Sequence, residues 1–316
     1  MADAMTTTSS LSYDQTMWNR AIYYPLRPEL YFDMFADVKA TDNTPEQGAA
    51  VTFTKNNDLA AVTTPISETV DIDAVALSDA QVTLTLAEYA NGVNTTFRVR
   101  ATSFVSINQI VANAVGFNAG LSLDTIARNI MQAGTNVRYS GAATSRVTVD
   151  ATHVLTAANV RRARVDLVNA NVATFNGYYA AVISPDVSYD LRGETGAAAW
   201  RDPHTYSQPS EIWSGEIGVF EGFRFMESPR APVFVDAGVT STVDVYRTLF
   251  FGRQAMAKAF STYEGRGALP IVIIGPVVDK LERFRPVSWH WFGAYGLFRQ
   301  ESLRAVESAS SIATNV

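Results

Sequence analysis

Alternating apolar and polar positions predict two β-strands in the N-terminal part of the chain. Val51 and Phe53 alternate with threonines, and the same period of two returns at Val82 and Leu84. The two strands flank a polar stretch, so residues 49–88 are typical of a protruding two-stranded ribbon. A lone ribbon is only marginally stable in water. We therefore expect its apolar face to rest on another surface.

A third alternation lies between these strands. Here Val70, Ile72 and Ala74 alternate with Asp71 and Asp73, which predicts a further strand with both carboxylates on one face. Two such carboxylates could bind a cation, but a solvated edge is the simpler interpretation.

Apolar residues at helical spacing predict helices after the ribbon. In residues 104–133 they form one stripe, and Gly116 and Gly120 in its middle predict either a bend or two abutting helices. A further helix is expected after Thr156, which suits the position that caps a helix start. Helical spacing predicts that its buried face carries Val160, Ala163, Leu167 and Ala170.

Extended apolar runs dominate the second half of the chain. They predict strands at Gly177–Ser184, Gly222–Met226, Val243–Phe251, Leu269–Val278 and Val287–Phe298. Within them, Ile271–Ile274 is apolar on both faces, which indicates a central strand covered on both sides. The alanines of Gln254–Phe260 predict a helical turn. Helices and strands in this order indicate an α+β fold.

The first 40 residues form an aromatic arm that is too short to bury its own side chains. Its aromatic residues are Tyr13, Trp18, Tyr23, Tyr24, Tyr31, Phe32 and Phe35. We expect the arm to lie on the body of its own subunit or on that of a neighbour.

Charge is distributed unevenly along the 316 residues, whose formal net charge is −6. That sign argues against a dedicated nucleic-acid-binding protein. Residues 41–96 hold one basic side chain, Lys55, against eight acidic ones. Charged residues make up 18% of the chain, below the roughly 25% of a typical soluble domain. A surface with so little charge suggests that partners cover part of it.

Two groups of arginines could pair with the acidic ribbon. Arg98 and Arg100 lie in a stretch predicted to be extended, and Arg161, Arg162 and Arg164 lie on the polar face of the helix after Thr156. Either group could bind phosphates. We expect pairing with the ribbon of a neighbouring copy, because the ribbon has almost no cations of its own.

Motifs for catalysis or cofactor binding are absent from the sequence. It has no phosphate-binding glycine loop, no nucleophile elbow and no HExxH pattern, and it contains no Cys and only three His. Asp202 and His204 are close in sequence, so a hydrolase is one alternative, although a polar loop is the simpler interpretation. No run approaches about 20 uninterrupted apolar residues, so no membrane span is expected. We expect a protein that is not an enzyme and uses no cofactor or metal.

Four passages occur in an order that carries a resemblance. They are VGFNAGLSLDTIARNIMQAGTNVRYSG (Val115–Gly141), RRARVDLVNANVATFNGYYAAVISPDVSYDLR (Arg161–Arg192), SGEIGVFEGFRFMES (Ser214–Ser228) and VSWHWFGAYGLFRQESLRAVESAS (Val287–Ser310). Together they resemble the major capsid proteins of tailed bacteriophages, which have the HK97-like fold.

The resemblance implies a division of the chain into named parts. These are an N-terminal arm (1–46), an extended E-loop ribbon (47–88), a P-domain with a long spine helix (89–149), a strand-rich A-domain (150–285), and a C-terminal strand and tail (286–316). Contacts between subunits are then expected at Trp18, Tyr23, Tyr24, Phe32, Phe53, Asp71, Asp73, Leu84, Arg161 and Arg162.

The implied function is structural. The chain would self-assemble through hexamers and pentamers, in the host cytoplasm, into the icosahedral virion head that encloses double-stranded DNA. Further copies of the chain and a portal are the implied partners, with non-specific contact to packaged DNA; separate scaffolding or decoration proteins are further candidates. An encapsulin-type nanocompartment shell, which resembles the same fold, is the main alternative. A tail-tube or adhesion module is another.

Overall fold

The computed structural model describes ten segments and one isolated residue of the chain. These are residues 32–41, 50–57, 59–66, 68–69, 71–72, 74–103, 107–194, 216–262, 267–276, 281 and 283–312. Helices and strands are numbered below in chain order.

One sheet has five strands and is organised around a long one. Its members are β1 (Ala36–Thr41), β4 (Ala87–Thr96), β11 (Met256–Ser261), β12 (Ile271–Ile274) and β13 (Phe284–Leu297). Along β13, the antiparallel partner β4 covers Phe284 to Gly293 on one edge. The other edge pairs with β12 and then with β11, and β1 extends the sheet beyond β11 in parallel.

A helix of 26 residues, α2 (Ile107–Gln132), packs across one face of this sheet. Its buried side chains recur every fourth residue, at Val115, Ala119, Leu123, Ala127 and Met131. They join a core cluster with tryptophans of β13. By length and composition α2 could cross a bilayer, but helices that form the core of folded domains meet the same criterion. The regular burial of one face within the subunit identifies α2 as a core helix.

The prediction of a long helix in residues 104–133 is confirmed, and the two glycines lie inside one continuous helix. A short helix, α1 (Phe97–Thr102), precedes α2. The sequence predicted extended backbone at Arg98 and Arg100, and that prediction is wrong. Thr96 caps α1, since its hydroxyl accepts a hydrogen bond from the amide of Val99 at 3.3 Å.

The opposite face of the five-stranded sheet carries the ribbon. Its strands, β2 (Ala50–Asn56) and β3 (Asp79–Thr85), pair along their full length. Val51 and Leu84 at its base pack against small residues of β11 and β13, namely Ala257, Ala259 and Ala294. The ribbon is therefore attached to its own subunit by its base.

A second sheet of seven strands forms the rest of the described body. Its strands are β5 (Val137–Tyr139), β6 (Tyr179–Ile183), β7 (Glu216–Phe220), β8 (Phe223–Glu227), β9 (Val233–Phe234), β10 (Val245–Phe251) and β14 (Leu303–Ser308). Two helices, α3 (Ala157–Asn169) and α4 (Pro185–Gly193), bury apolar faces against it. Val160, Ala163 and Leu167 of α3 are fully buried, as their helical spacing predicted.

A buried ion-pair network ties the end of α2 to the second sheet. The fully buried carboxylate of Glu307 accepts hydrogen bonds from Arg146 Nε at 3.0 Å and from Arg247 Nε at 2.8 Å. Arg247 also donates to the carbonyls of Gln132 and Gly134, at the end of α2. Two guanidinium groups thus share one carboxylate, and the carbonyls left free by the helix end gain a donor.

Two predictions about the second half of the chain are wrong. Residues Gln254–Phe260 do not form a helical turn, because Met256–Ser261 is strand β11, paired on both sides. Its alanines are small because the ribbon base lies directly over them. Among the described residues, strand β12 (Ile271–Ile274) is not a central covered strand: it pairs with β13 alone, and its side chains are 38–52% exposed.

Candidate assembly surfaces

The tip of the ribbon has no regular secondary structure in its described residues and exposes many large apolar side chains. Between β2 and β3, these side chains are 59–84% exposed: Leu59, Val62, Ile66, Ile72, Val75 and Leu77. The strand predicted around Asp71 is not formed at Asp71, Ile72 or Ala74; Val70 and Asp73 lie outside the described residues. Nothing in the described part of the subunit covers this surface, so it is available to a neighbour.

The ribbon points away from the start of β13. Leu84 packs over Gly296, where a Cβ would collide with it. Further along the ribbon, the ring centroid of Phe53 lies 5.6 Å from that of Phe298, and Lys55 Nζ lies 3.9 Å from Glu301 Oε2. From its base outward, the ribbon therefore lies along the residues that follow the end of β13.

These contacts change the interpretation of two predicted interface residues. Leu84 is 7% exposed and packs within its own subunit, and Phe53 is half-buried beside Phe298. If Leu84 faced a neighbour, as the sequence predicts, a Leu84→Lys variant would leave subunits soluble but block shell formation. Because the side chain belongs to an internal cluster, the substitution should instead damage the fold.

The end of the arm is fixed inside the subunit. Phe32 is 0% exposed within its own core, so it offers no surface to a neighbour. Its amide donates to Asp124 Oδ1 at 2.8 Å. Burial raises the pKa of the Asp124 carboxyl, and the Phe32 amide and Arg230 oppose that rise. The next residue, Asp33, forms an ion pair in which its Oδ1 lies 2.7 Å from Lys258 Nζ.

The other arm residues predicted at interfaces lie outside the described residues. They are Trp18, Tyr23 and Tyr24. The same is true of Asp202 and His204, on which the hydrolase alternative depended. In the part of the chain that the structure describes, no group of three or more His, Asp or Glu side chains could hold a metal ion.

Arg161 and Arg162 lie on the exposed side of α3, as predicted. Arg161 Nη1 has an acidic partner in its own subunit, Glu221 Oε1, at 3.6 Å. Asp166, one turn along the helix, accepts hydrogen bonds from Arg138, which hold the pKa of its carboxyl below the usual range. Carboxylates of the same subunit therefore already balance part of the positive charge of this cluster.

The structure brings together a basic group that sequence reasoning missed. The end of β4 and the start of β13 are adjacent, which places Arg98 and Arg100 beside Arg283 and Arg285. The two Arg-x-Arg patterns were visible in the sequence, but only the pairing of these distant strands makes them neighbours.

The architecture as a whole defines the class of protein. A long helix on a sheet, a protruding ribbon and a second strand-rich sheet are the parts of the HK97-like capsid fold, and solved capsid structures match it over nearly the full chain. A family model described as phage capsid protein matches residues 33–311, and the chain belongs to this family.

The similar solved structures share the fold at low sequence identity. The capsid of Ralstonia phage GP4 is 14% identical with a TM-score of 0.79, covering 99% of this chain and 100% of that one. The cyanophage Pam1 capsid is 16% identical with a TM-score of 0.70, again covering 99% and 100%. The capsid of a native GTA particle is 14% identical with a TM-score of 0.63, covering 96% and 98%. No curated protein matches the sequence.

These findings establish a structural role as a capsid protein. They favour a phage head over the encapsulin-type compartment that the sequence left as the alternative. The predicted fold class is confirmed.

Proposed function

We propose that this chain is the major head protein of a tailed phage and that it assembles through hexamers and pentamers into a closed icosahedral shell around double-stranded DNA. The observation that carries the proposal is the ribbon tip, where six large apolar side chains are exposed among the described residues of 59–77. A free monomer would keep this surface in water, at a cost of roughly 25 cal/mol for each Å² of apolar area. Covering it on a sister copy removes that cost.

Weak contacts suffice for such a shell. A single contact near millimolar affinity contributes only about 4 kcal/mol. Each subunit makes several contacts at once, so its effective local concentration keeps the shell closed, while misplaced subunits can still leave. The formal net charge of −6 suits a wall that does not hold packaged DNA tightly.

Further partners and the place of assembly belong to the same proposal. One vertex would hold a portal for DNA entry, and separate scaffolding or decoration proteins could bind the shell. Assembly would take place in the host cytoplasm.

Electron microscopy and light scattering of the purified recombinant chain test the proposal. We expect closed spherical particles of megadalton mass above a threshold concentration. Rods would favour a tail-tube module. A monomer that stays monomeric at every concentration would contradict the proposal.

A further inference from the structure

We propose that Asn91 is a modification site, at which the side-chain amide deamidates spontaneously and thereby loosens the attachment of α2 to the five-stranded sheet. The structure brings three features together here: an Asn-Gly step in strand β4, a position where the sheet requires glycine, and an amide that links β4 to the long helix. The inference goes beyond the proposed function, since it concerns the folded subunit whether or not shells form.

The backbone amide of Gly92 lies against the side chain of Asn91. Its nitrogen donates a hydrogen bond to Asn91 Oδ1 at 2.8 Å, which places that nitrogen next to Cγ, the carbon that bears Oδ1. Both residues are exposed, so water reaches them. Asparagine is a thermolabile residue type, and glycine adds no Cβ that would hinder the approach. The two groups are therefore held in an arrangement that speeds an intramolecular reaction.

The reaction needs only water and the bases that water supplies. The Gly92 nitrogen loses its proton to solvent and attacks Asn91 Cγ, and the new C–N bond closes a five-membered succinimide ring. The bond from Cγ to the side-chain nitrogen breaks, and that nitrogen takes a proton from solvent and leaves as ammonia. Water then opens the ring at either carbonyl. One product is aspartate, and the other is isoaspartate, in which the main chain passes through Cγ.

The sheet itself requires glycine at position 92. Gly92 pairs with Ser288 across β4 and β13, and a Cβ on Gly92 would lie 2.7 Å from the Cβ of Ser288. A side chain at this position would push the two strands apart. The packing of the strands therefore keeps the dipeptide in its reactive form.

Asn91 connects β4 to the middle of α2. Its Nδ2 donates to Asn118 Oδ1 at 3.1 Å, and the same oxygen accepts a hydrogen bond from the indole nitrogen of Trp289 at 2.8 Å. Trp289 is 3% exposed and is the cross-strand partner of Asn91 on β13. One oxygen of the helix thus accepts hydrogen bonds from two strands of the sheet.

Deamidation breaks this link in either product. The aspartate has no donor for Asn118 Oδ1, so a carboxylate faces an acceptor oxygen beside the buried Trp289. Isoaspartate also adds a carbon to the main chain, which shifts the pairing of β4 with β13 beyond Gly92. Both changes weaken the packing of α2 on the sheet.

A second Asn-Gly step provides a comparison within the same chain. Asn176 and Gly177 form the turn between Phe175 and Tyr178, whose backbone groups exchange hydrogen bonds of 2.7 and 3.0 Å. Both residues of this turn are exposed, as are those of the step in β4. Within the described residues, however, the amide of Gly177 donates no hydrogen bond to the asparagine side chain before it. Dipeptide and exposure are thus matched, and the local geometry differs.

Peptide mapping by mass spectrometry tests the site directly. In the folded chain, kept at mildly alkaline pH below its assembly threshold, we expect Asn91 to deamidate about tenfold faster than Asn176. In urea, where the folded geometry is lost, the two rates should agree within about twofold. A ratio below about threefold in the folded chain would overturn the inference. A ratio that persists in urea would also overturn it, because the cause would then be the sequence alone.

Variants at position 91 test the structural consequence. Asn91→Asp reproduces one product and should speed hydrogen exchange in the middle of α2 about tenfold. The matched control, Asn176→Asp, adds the same charge at the other step and should leave that exchange within about twofold of wild type. Asn91→Gln should resist deamidation, because its ring would need six atoms. Wild-type exchange in Asn91→Asp, or an equal increase in the control, would refute the loosening of α2.

Discussion

Serine substitutions at the ribbon tip should weaken assembly by an amount that the structure allows us to calculate. Val62 is 84% exposed and Val75 is 75% exposed in the subunit. Full burial of a valine side chain contributes about 1.5 kcal/mol at the lower end of the usual range. Covering the exposed fractions of both valines on a neighbour is therefore worth about 2.4 kcal/mol per ribbon. Replacing both by serine removes that contribution from each subunit in the shell.

Because each subunit supplies one ribbon, the critical concentration for assembly should rise roughly 60-fold. Sedimentation of the Val62→Ser, Val75→Ser protein across a dilution series measures this threshold. The matched control is Val147→Ser with Val235→Ser, which removes two valines that are 67% and 64% exposed elsewhere. Thermal unfolding of the unassembled subunit should be unchanged in both variants. A ribbon variant with a threshold within about twofold of wild type would refute the reasoning.

Three further predictions concern the stability of the subunit. Glu307→Gln should lower the free energy of unfolding by about 3–5 kcal/mol, because it leaves two arginines sharing a neutral amide. Urea unfolding measures the loss, with Glu301→Gln at an exposed position as the control. A loss below about 1 kcal/mol would contradict the account. Leu84→Ala should cost about 2–5 kcal/mol even in unassembled subunits, and unchanged unfolding would place Leu84 outside the internal cluster. The pKa of Asp166 is lowered in the folded subunit, so its stabilising contribution is full above the usual pKa of 3.8 and is lost as the pH falls through the lowered pKa. Asp166→Asn should therefore flatten the loss of stability below about pH 4. An unchanged pH slope in urea unfolding would count against this role of Asp166.

Local patterns predicted the elements whose environment lies within the same subunit. The buried stripe of α3 followed from helical spacing, since Val160, Ala163 and Leu167 face the second sheet of their own chain. The ribbon strands followed from a period of two, because the face of the ribbon that carries Val51 and Leu84 is covered by its own subunit. In both cases the amphipathic pattern and the covering surface belong to one molecule.

Strand β11 could not be predicted in this way. Its alanines favour a helix by propensity, but Ala257 and Ala259 are small because the ribbon base packs on them. Pairing with strands on both sides overrides the local preference. The sequence does not reveal that packing, because the ribbon base and β11 are about 200 residues apart.

Strand β12 could not be assigned to its place in the sheet for a different reason. An apolar run such as Ile271–Ile274 looks the same whether its covering surface is in its own subunit or in a neighbour. The group of arginines at the end of β4 and the start of β13 was also invisible, because only the pairing of these two strands makes the distant segments neighbours. Surfaces made for assembly are composed of residues from distant segments, and a single sequence does not show which segments meet.

The central claim is that the ribbon of each subunit completes its apolar contacts on a sister copy. A cryo-electron microscopy reconstruction of particles assembled from the purified chain tests it most directly. We predict closed shells in which density for residues 57–78 crosses to the adjacent subunit and covers apolar surface there. Shells in which that density folds back onto its own subunit would contradict the claim.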